Sequence, residues 1–97
     1  MSAYLVVHLT AKDMGKLKDY AGQAYALIQA AGGERVVRAK VTEVLVGDHD
    51  HKVCAIFRFA DGDTLRTWYH SDAYQALIPL RDEAADITFI VLEEPPA

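Results

Sequence analysis

The amino-acid sequence predicts an α+β domain in which a four-stranded antiparallel sheet carries two helical segments on one face. Two observations lead there. Four runs rich in β-branched and aromatic residues are separated, in the order β-α-β-β-α-β, by two stretches whose apolar residues recur at helical spacing. The chain has 97 residues, close to the commonest domain size, which leaves room for one core and one domain over 1–97.

The elements follow in chain order. Tyr4–Leu9 (YLVVHL) is apolar and β-branched and reads as the first strand. Asp13 suits a helix N-cap, because its carboxylate can accept the unpaired amides of the first turn. Behind it Met14, Leu17, Ala21, Ala24, Ile28 and Ala31 fall at helical spacing, and Gly32-Gly33 stops the helix. Glu34–Val46 (ERVVRAKVTEVLV) reads as an unusually long second strand, with a bulge or bend expected near Ala39-Lys40, or an arm that reaches a partner. Gly47–His51 is the turn and Lys52–Phe59 (KVCAIFRF) the third strand. Asp61-Gly62-Asp63 opens a short helix through Tyr69. Ser71 caps a further piece from Asp72 to about Ala84, with a kink expected at Pro79. Ile87–Glu93 is the fourth strand, and residues 94–97 form a tail. This order is the split βαβ of ferredoxin-like folds, whose strands lie in spatial order 4-1-3-2.

Composition narrows the function classes. The net charge of −4 argues against a nucleic-acid partner, and the third strand lacks the aromatic RNA-binding signature. No apolar run approaches the roughly 20 residues that cross a bilayer. The chain enters a strand pattern at once, without the n-region of a signal peptide. Its lone Cys54 can form no internal disulfide, so a cytoplasmic location is the default expectation. Cys54 itself reads as a small core residue. There is no Cys-x-x-Cys, no Gly-rich phosphate loop and no serine nucleophile elbow.

An antiparallel sheet with one wet face should alternate apolar and polar residues, and these strands do not. Leu5, Val7 and Leu9 are apolar, but so are Tyr4 and Val6. Phe57 and Phe59 are opposed by Cys54 and Ile56, and Phe89 and Val91 by Ile90 and Leu92. Two helices cover only one face. The other predicts a homodimer formed through the sheet, the alternative being a monomer with a partly apolar sheet face.

Tyr74, Leu77, Ile78 and Arg81 share one helix face at i, i+3, i+4 and i+7. A guanidinium on such a stripe needs an anion or several acceptors. With Trp68 and Tyr69 just before it, and Arg38 a second cation among valines, the pattern predicts a pocket between sheet and helices. That pocket would have aromatic walls and arginines suited to a carboxylate or enolate. The competing reading pairs Arg81 with a structural carboxylate such as Glu43, and makes Trp68 and Tyr69 ordinary core. His8 and Tyr74 are the candidates for proton handling, with a packed or interface histidine as the alternative for His8. Asp48-His49-Asp50-His51 has metal-binding residue types, but they alternate along a turn and no further ligand set completes a site, so no metal is expected.

Asp13 followed by Tyr20, then Gly32-Gly33, Arg38 and Glu43–Asp48 (EVLVGD), then Phe59, Trp68–Tyr74 (WYHSDAY) and Ile78–Arg81 (IPLR), carry a family resemblance in their order and spacing. Over nearly its whole length the chain resembles the domain of unknown function 1330 family, within the dimeric α+β barrel superfamily. The resemblance implies a ferredoxin-like protomer whose sheet packs on a partner's. It implies no particular reaction, because the family has none established. The wider superfamily includes cofactor-free monooxygenases, muconolactone isomerases and haem-dependent peroxidases, an analogy of fold alone. Ala39-Lys40 stands where glycines follow the arginine in the family pattern, and Met14 where proline is common. The expectation is a dimer that binds a small carboxylic or carbonyl compound through Arg38, Trp68, Tyr69, Tyr74 and Arg81, without a cofactor. Enzymatic isomerase or monooxygenase-like chemistry and a non-catalytic ligand-binding or structural module both remain open.

Overall fold

The computed structural model describes residues 2–95; residue 1 and residues 96–97 of the expected tail lie outside it. β1 (Ala3–Ala11) organises the sheet. It pairs with β3 (Val53–Phe59) on one side and β4 (Ala85–Glu93) on the other, and β2 (Glu34–Lys40) pairs with the free edge of β3. All pairs are antiparallel, and the order β2-β3-β1-β4 is the expected 4-1-3-2 read from the opposite edge.

Alternation along β1 decides what each face sees. Ala3, Leu5, Val7 and Leu9 are buried under the helices, whereas Tyr4, Val6, His8 and Thr10 point the other way and are half-buried. Ala55 and Phe59 continue the covered face on β3, and Ile87 and Phe89 on β4. The uncovered face carries Val6, Ile56, Ile90, Leu92 and Val37 in register. Ile90 is 42% and Leu92 51% exposed. The molecule measures 35 × 35 × 16 Å, a thickness of one sheet and one helix layer.

α1 (Met14–Ala30) begins where Asp13 Oδ1 accepts the Lys16 N–H at 3.0 Å. It ends in a Schellman motif. Gly32, at φ +83°, donates to Gln29 C=O at 3.0 Å, and Gly33 donates to Ile28 C=O at 2.9 Å. The buried stripe is Leu17, Tyr20, Ala24 and Ile28. Met14, expected on that stripe, is 69% exposed at the first turn. α2 (Gly62–His70) is capped by Asp61, which accepts the Thr64 N–H at 2.7 Å. α3 (Asp72–Gln75) is capped by Ser71, whose hydroxyl accepts the Tyr74 N–H and donates to Trp68 C=O. α4 (Ile78–Ala84) follows. Its last carbonyl accepts the N–H groups of Lys12 and Asp13, which fastens the start of α1 beside it.

Three expectations are corrected. β2 stops at Lys40 rather than Val46. Val41 N–H to Lys52 C=O at 2.8 Å is the last bond joining it to its neighbour, and Val44, Leu45 and Val46 project from an irregular segment. The strand irregularity falls at Val36, between Arg35 and Val37, not at Ala39-Lys40. Pro79 does not kink a continuous helix. The chain breaks at Ala76-Leu77, and Pro79 lies in the first turn of α4, where a missing N–H leaves no bond unmade.

Candidate functional site

Four of the candidate residues, Trp68, Tyr69, Tyr74 and Arg81, stand on α2, α3 and α4 and converge. Ser71 folds α3 back on α2, so the Trp68 and Tyr74 rings meet with centroids 4.5 Å apart and Tyr69 lies 5.2 Å from Tyr74. Arg81 on α4 reaches the same place although the helix is broken between them. Its Nη1–H donates to the Tyr74 hydroxyl at 3.3 Å and to the Tyr69 hydroxyl at 3.5 Å, and its guanidinium lies 5.7 Å from the Phe89 ring centroid. The carboxylate beside it is Asp82, at 3.1 Å, not the Glu43 considered from sequence. The Arg81 side chain is 15% exposed. Burial works against its charge, but the hydrogen bonds to Tyr69, Tyr74 and Asp82 outweigh that and hold the guanidinium more firmly protonated than usual.

The Tyr74 hydroxyl also bonds the Tyr20 hydroxyl of α1, at 2.7 Å in a buried setting. Burial, and then the neighbouring Tyr74, push the Tyr20 phenol far above its ordinary value. Burial raises Tyr74 as well, with the bonds from Tyr20 and Arg81 opposing it. Both phenols are therefore neutral near pH 7 and serve as hydrogen-bond groups, not as bases.

Tyr20 and Trp68 also line a cavity of about 80 Å³ between α1 and the covered face of the sheet. Val7, Ile28, Phe57 and Phe89 make its wall apolar, and Arg35 and Arg38 of β2 complete its rim. Beside it, a groove of about 600 Å³ between α1 and β2 shares both arginines and adds Lys18. The bulge at Val36 creates this rim. Residues three apart on a regular strand face opposite sides, but the extra residue puts Arg35 opposite Phe57 and Arg38 opposite Ala55, both on the helix side. Arg35 lies 5.1 Å from the Tyr25 ring centroid. Among the described residues neither arginine has a carboxylate within 4.0 Å.

His8 stands apart from this group. On β1 it lies between Val7 and Leu9 and so faces the uncovered side of the sheet, across it from Tyr74. Its Nδ1 is buried without a partner, and its ring meets His49 edge-on at 4.9 Å. Burial, then the proximity of His49 and His51, lowers its pKa. His51 Nδ1 shares a 3.1 Å hydrogen bond with Thr10 Oγ1. Cys54, read from sequence as core, is half-buried on this same uncovered face opposite His8. Among the described residues no group of three or more His, Cys, Asp and Glu side chains is placed to hold a metal ion, and no helix is long and apolar enough to cross a membrane.

Two further residues at the cavity, Tyr20 and Arg35, lie outside the candidates drawn from sequence. Tyr20 is three residues after Leu17 and four before Ala24, so helical spacing alone places it on the buried stripe. Arg35 carries no such mark, since its direction depends on the bulge.

The profile of the family described as "Domain of unknown function (DUF1330)" matches residues 2–95. The chain belongs to the DUF1330 family. No curated protein matches this DUF1330 member. Its fold is that of several solved structures. A protein of unknown function from Rhodopseudomonas palustris superposes with a TM-score of 0.80 at 13% identity, covering 99% of this chain and 84% of that one. SnoaB, a cofactor-independent oxygenase from Streptomyces nogalater, gives 0.71 at 12% identity, covering 99% and 95%. A dimeric ferredoxin-like protein of unknown function from Jannaschia sp. CCS1 gives 0.66 at 14% identity, covering 97% and 100%. At these identities the likeness concerns the fold.

Proposed function

We propose that this DUF1330 protein is a homodimer that binds a small carboxylic or carbonyl compound in the cleft between α1 and β2. The observation that carries the reading is the pairing of an apolar cavity with two rim arginines that have no carboxylate partner among the described residues. Ligand sites have this makeup, an apolar wall with a few placed polar groups. The size limits the occupant. At about 80 Å³ the inner space is smaller than the ~150 Å³ cavity known to admit benzene, so a short chain fits there and its acid group would stand in the wider groove beside Arg35 and Arg38.

Dimerisation is supported by the uncovered sheet face. A folded monomer of 10.7 kDa is expected to expose about 5,500 Å², whereas this chain alone exposes 6179 Å². The irregular segment between β2 and β3 shares in that excess, and exposed Val37, Ile90 and Leu92 supply the apolar part of it on the sheet face. The dimeric neighbour from Jannaschia agrees with this reading. Binding is favoured over proton abstraction because Tyr20 at the cavity and Tyr74 behind it stay neutral and His8 lies across the sheet from them. An oxygenase role, as borne by SnoaB, is the second reading.

The test is the melting temperature of the protein in saturating short carboxylates, such as butanoate and pentanoate, against the Arg35→Ala and Arg38→Ala variants. Both positions are exposed, so the fold tolerates the changes. A hundredfold excess over Kd should stabilise the protein by about 2.7 kcal/mol, and loss of either arginine should weaken the effect. No shift with any acid or carbonyl compound refutes the proposal.

A further inference from the structure

The cations of this chain are unevenly matched. Of the ten lysines and arginines, Lys12, Lys16, Arg58, Arg66 and Arg81 each have a carboxylate within 4.0 Å among the described residues. Three of the others, Lys18, Arg35 and Arg38, line the groove between α1 and β2, and no aspartate or glutamate lines it with them. Acidic residues outnumber basic ones by 14 to 10, so a wall with three cations and no anion runs against the composition. Topology sets these charges in two places. β1 and β2 are both antiparallel to β3 and so parallel to each other, and α1, which joins them, runs back against β2. Tyr25 is level with Arg35, whose guanidinium lies 5.1 Å from its ring centroid. Arg38 is three residues further along the strand, up to roughly 10 Å away. Lys18 shares a helix face with Tyr25 at i, i+7 and lies about 10 Å from it in the same direction. Arg35 on Tyr25 thus makes one positive position, and Arg38 with Lys18 a second. Both arginines also line the apolar cavity, so its mouth opens on this stretch of the groove.

We infer that the cleft takes a short branched diacid, with one carboxylate at Arg35, the other at Arg38 and Lys18, and an apolar branch that enters the cavity between them. The inference rests on the cleft being the ligand site, as proposed above, and adds the number of charges and their placing. A single carboxylate fills one of the two positions. A phosphate gathers its charge at one point, whereas the positive positions are separated along the groove. A carboxylate matches the planar fork of a guanidinium with two parallel N–H···O bonds, and Lys18 adds a point charge. The branch itself is apolar, because Val7, Ile28, Phe57 and Phe89 wall the cavity. A third carboxylate there would lose its hydration without a facing charge.

The experiment measures Kd by isothermal titration calorimetry for three acids. Pentanoate has the apolar chain and one charge. Succinate has two charges and no branch. Propylsuccinate is pentanoate with a carboxymethyl group on the carbon next to its acid. The expected result is that propylsuccinate binds roughly tenfold more tightly than pentanoate, the scale of one added hydrogen bond to a charged group, and more tightly than succinate. Higher salt should narrow the gap, because exposed charges are screened. Lys18→Ala, a change at an exposed position, should bring the propylsuccinate affinity towards that of pentanoate. Propylsuccinate that binds no more tightly than pentanoate, or a preference that survives Lys18→Ala in full, overturns the inference and leaves the cleft intact as a site for one carboxylate. Succinate as tight as propylsuccinate also overturns it, since the cavity then receives no branch. If none of the three acids gives binding heat or shifts the melting temperature, the cleft reading falls and this inference with it.

Discussion

Tyr20→Phe and Tyr74→Phe form a double-mutant cycle that probes the buried phenol pair. Tyr20→Phe removes the 2.7 Å bond and leaves the buried Tyr74 hydroxyl without its phenol partner. A lost hydrogen bond costs about 1 kcal/mol and a stranded buried donor about 1–3 kcal/mol, so the single change should destabilise by roughly 1–2 kcal/mol after partial relaxation. Tyr74→Phe should cost more, because it strands Tyr20 and also removes an acceptor from Arg81. Once Tyr74 is phenylalanine, the second change removes a group already stranded and should add little. The double variant is therefore expected to be less destabilised than the sum of the singles, by about 1 kcal/mol or more, well outside the 0.3–0.5 kcal/mol scatter of independent sites. Urea unfolding followed by far-UV circular dichroism at one fixed subunit concentration measures all four corners, the fixed concentration removing mass-action effects of a dimer. Each kcal/mol corresponds to roughly 4–8 °C in Tm for a domain of this size, so melting curves give a second reading. Additivity within error would refute a coupled Tyr20–Tyr74–Arg81 chain.

Gly33→Ala should destabilise by about 1–3 kcal/mol, the range for overpacking a filled core, because its new Cβ would lie 2.7 Å from Ile28 Cγ2 and 3.2 Å from Phe59 Cε1; a wild-type urea midpoint would contradict the packing described. His8 has its folded pKa held below the ordinary 6.5, so the unfolded chain takes up the proton first. Stability is complete above pH 6.5 and falls as pH drops below it, and His8→Leu should flatten that slope between pH 7.5 and 5. Ile90→Asp puts a carboxylate in the middle of the uncovered face, between rows of apolar side chains. Sedimentation equilibrium should then report single subunits in place of the pairs proposed for the wild type, and an unchanged association would count against the sheet face as the interface.

Much of this was legible in the chain. Asp13 and Gly32-Gly33 bracket α1 because a cap and a left-handed glycine are local devices that need no tertiary help. The cluster of Trp68, Tyr69, Tyr74 and Arg81 was legible from spacing, and it survived the break at Ala76-Leu77 because α4 resumes near the same face. The outward direction of His8 was also available, since Val7 and Leu9 flank it and a strand alternates. The end of β2 was not. Val41–Val46 has strong strand propensity, but β3 offers no partner beyond Val53 and the residue before it, and an unpaired run does not remain a strand. Nor was the shared face of Arg35 and Arg38 legible. It depends on one extra residue at Val36, and no turn residue marks that place in the sequence.

As proposed, two subunits pair through the sheet and each holds a small acid in the α1–β2 cleft. Native mass spectrometry of the protein with saturating pentanoate and 4-oxopentanoate tests it most directly. The account predicts twice the chain mass, carrying up to two ligand masses that Arg38→Ala diminishes. A bare species at the mass of one chain, in the presence of every acid tried, would contradict it.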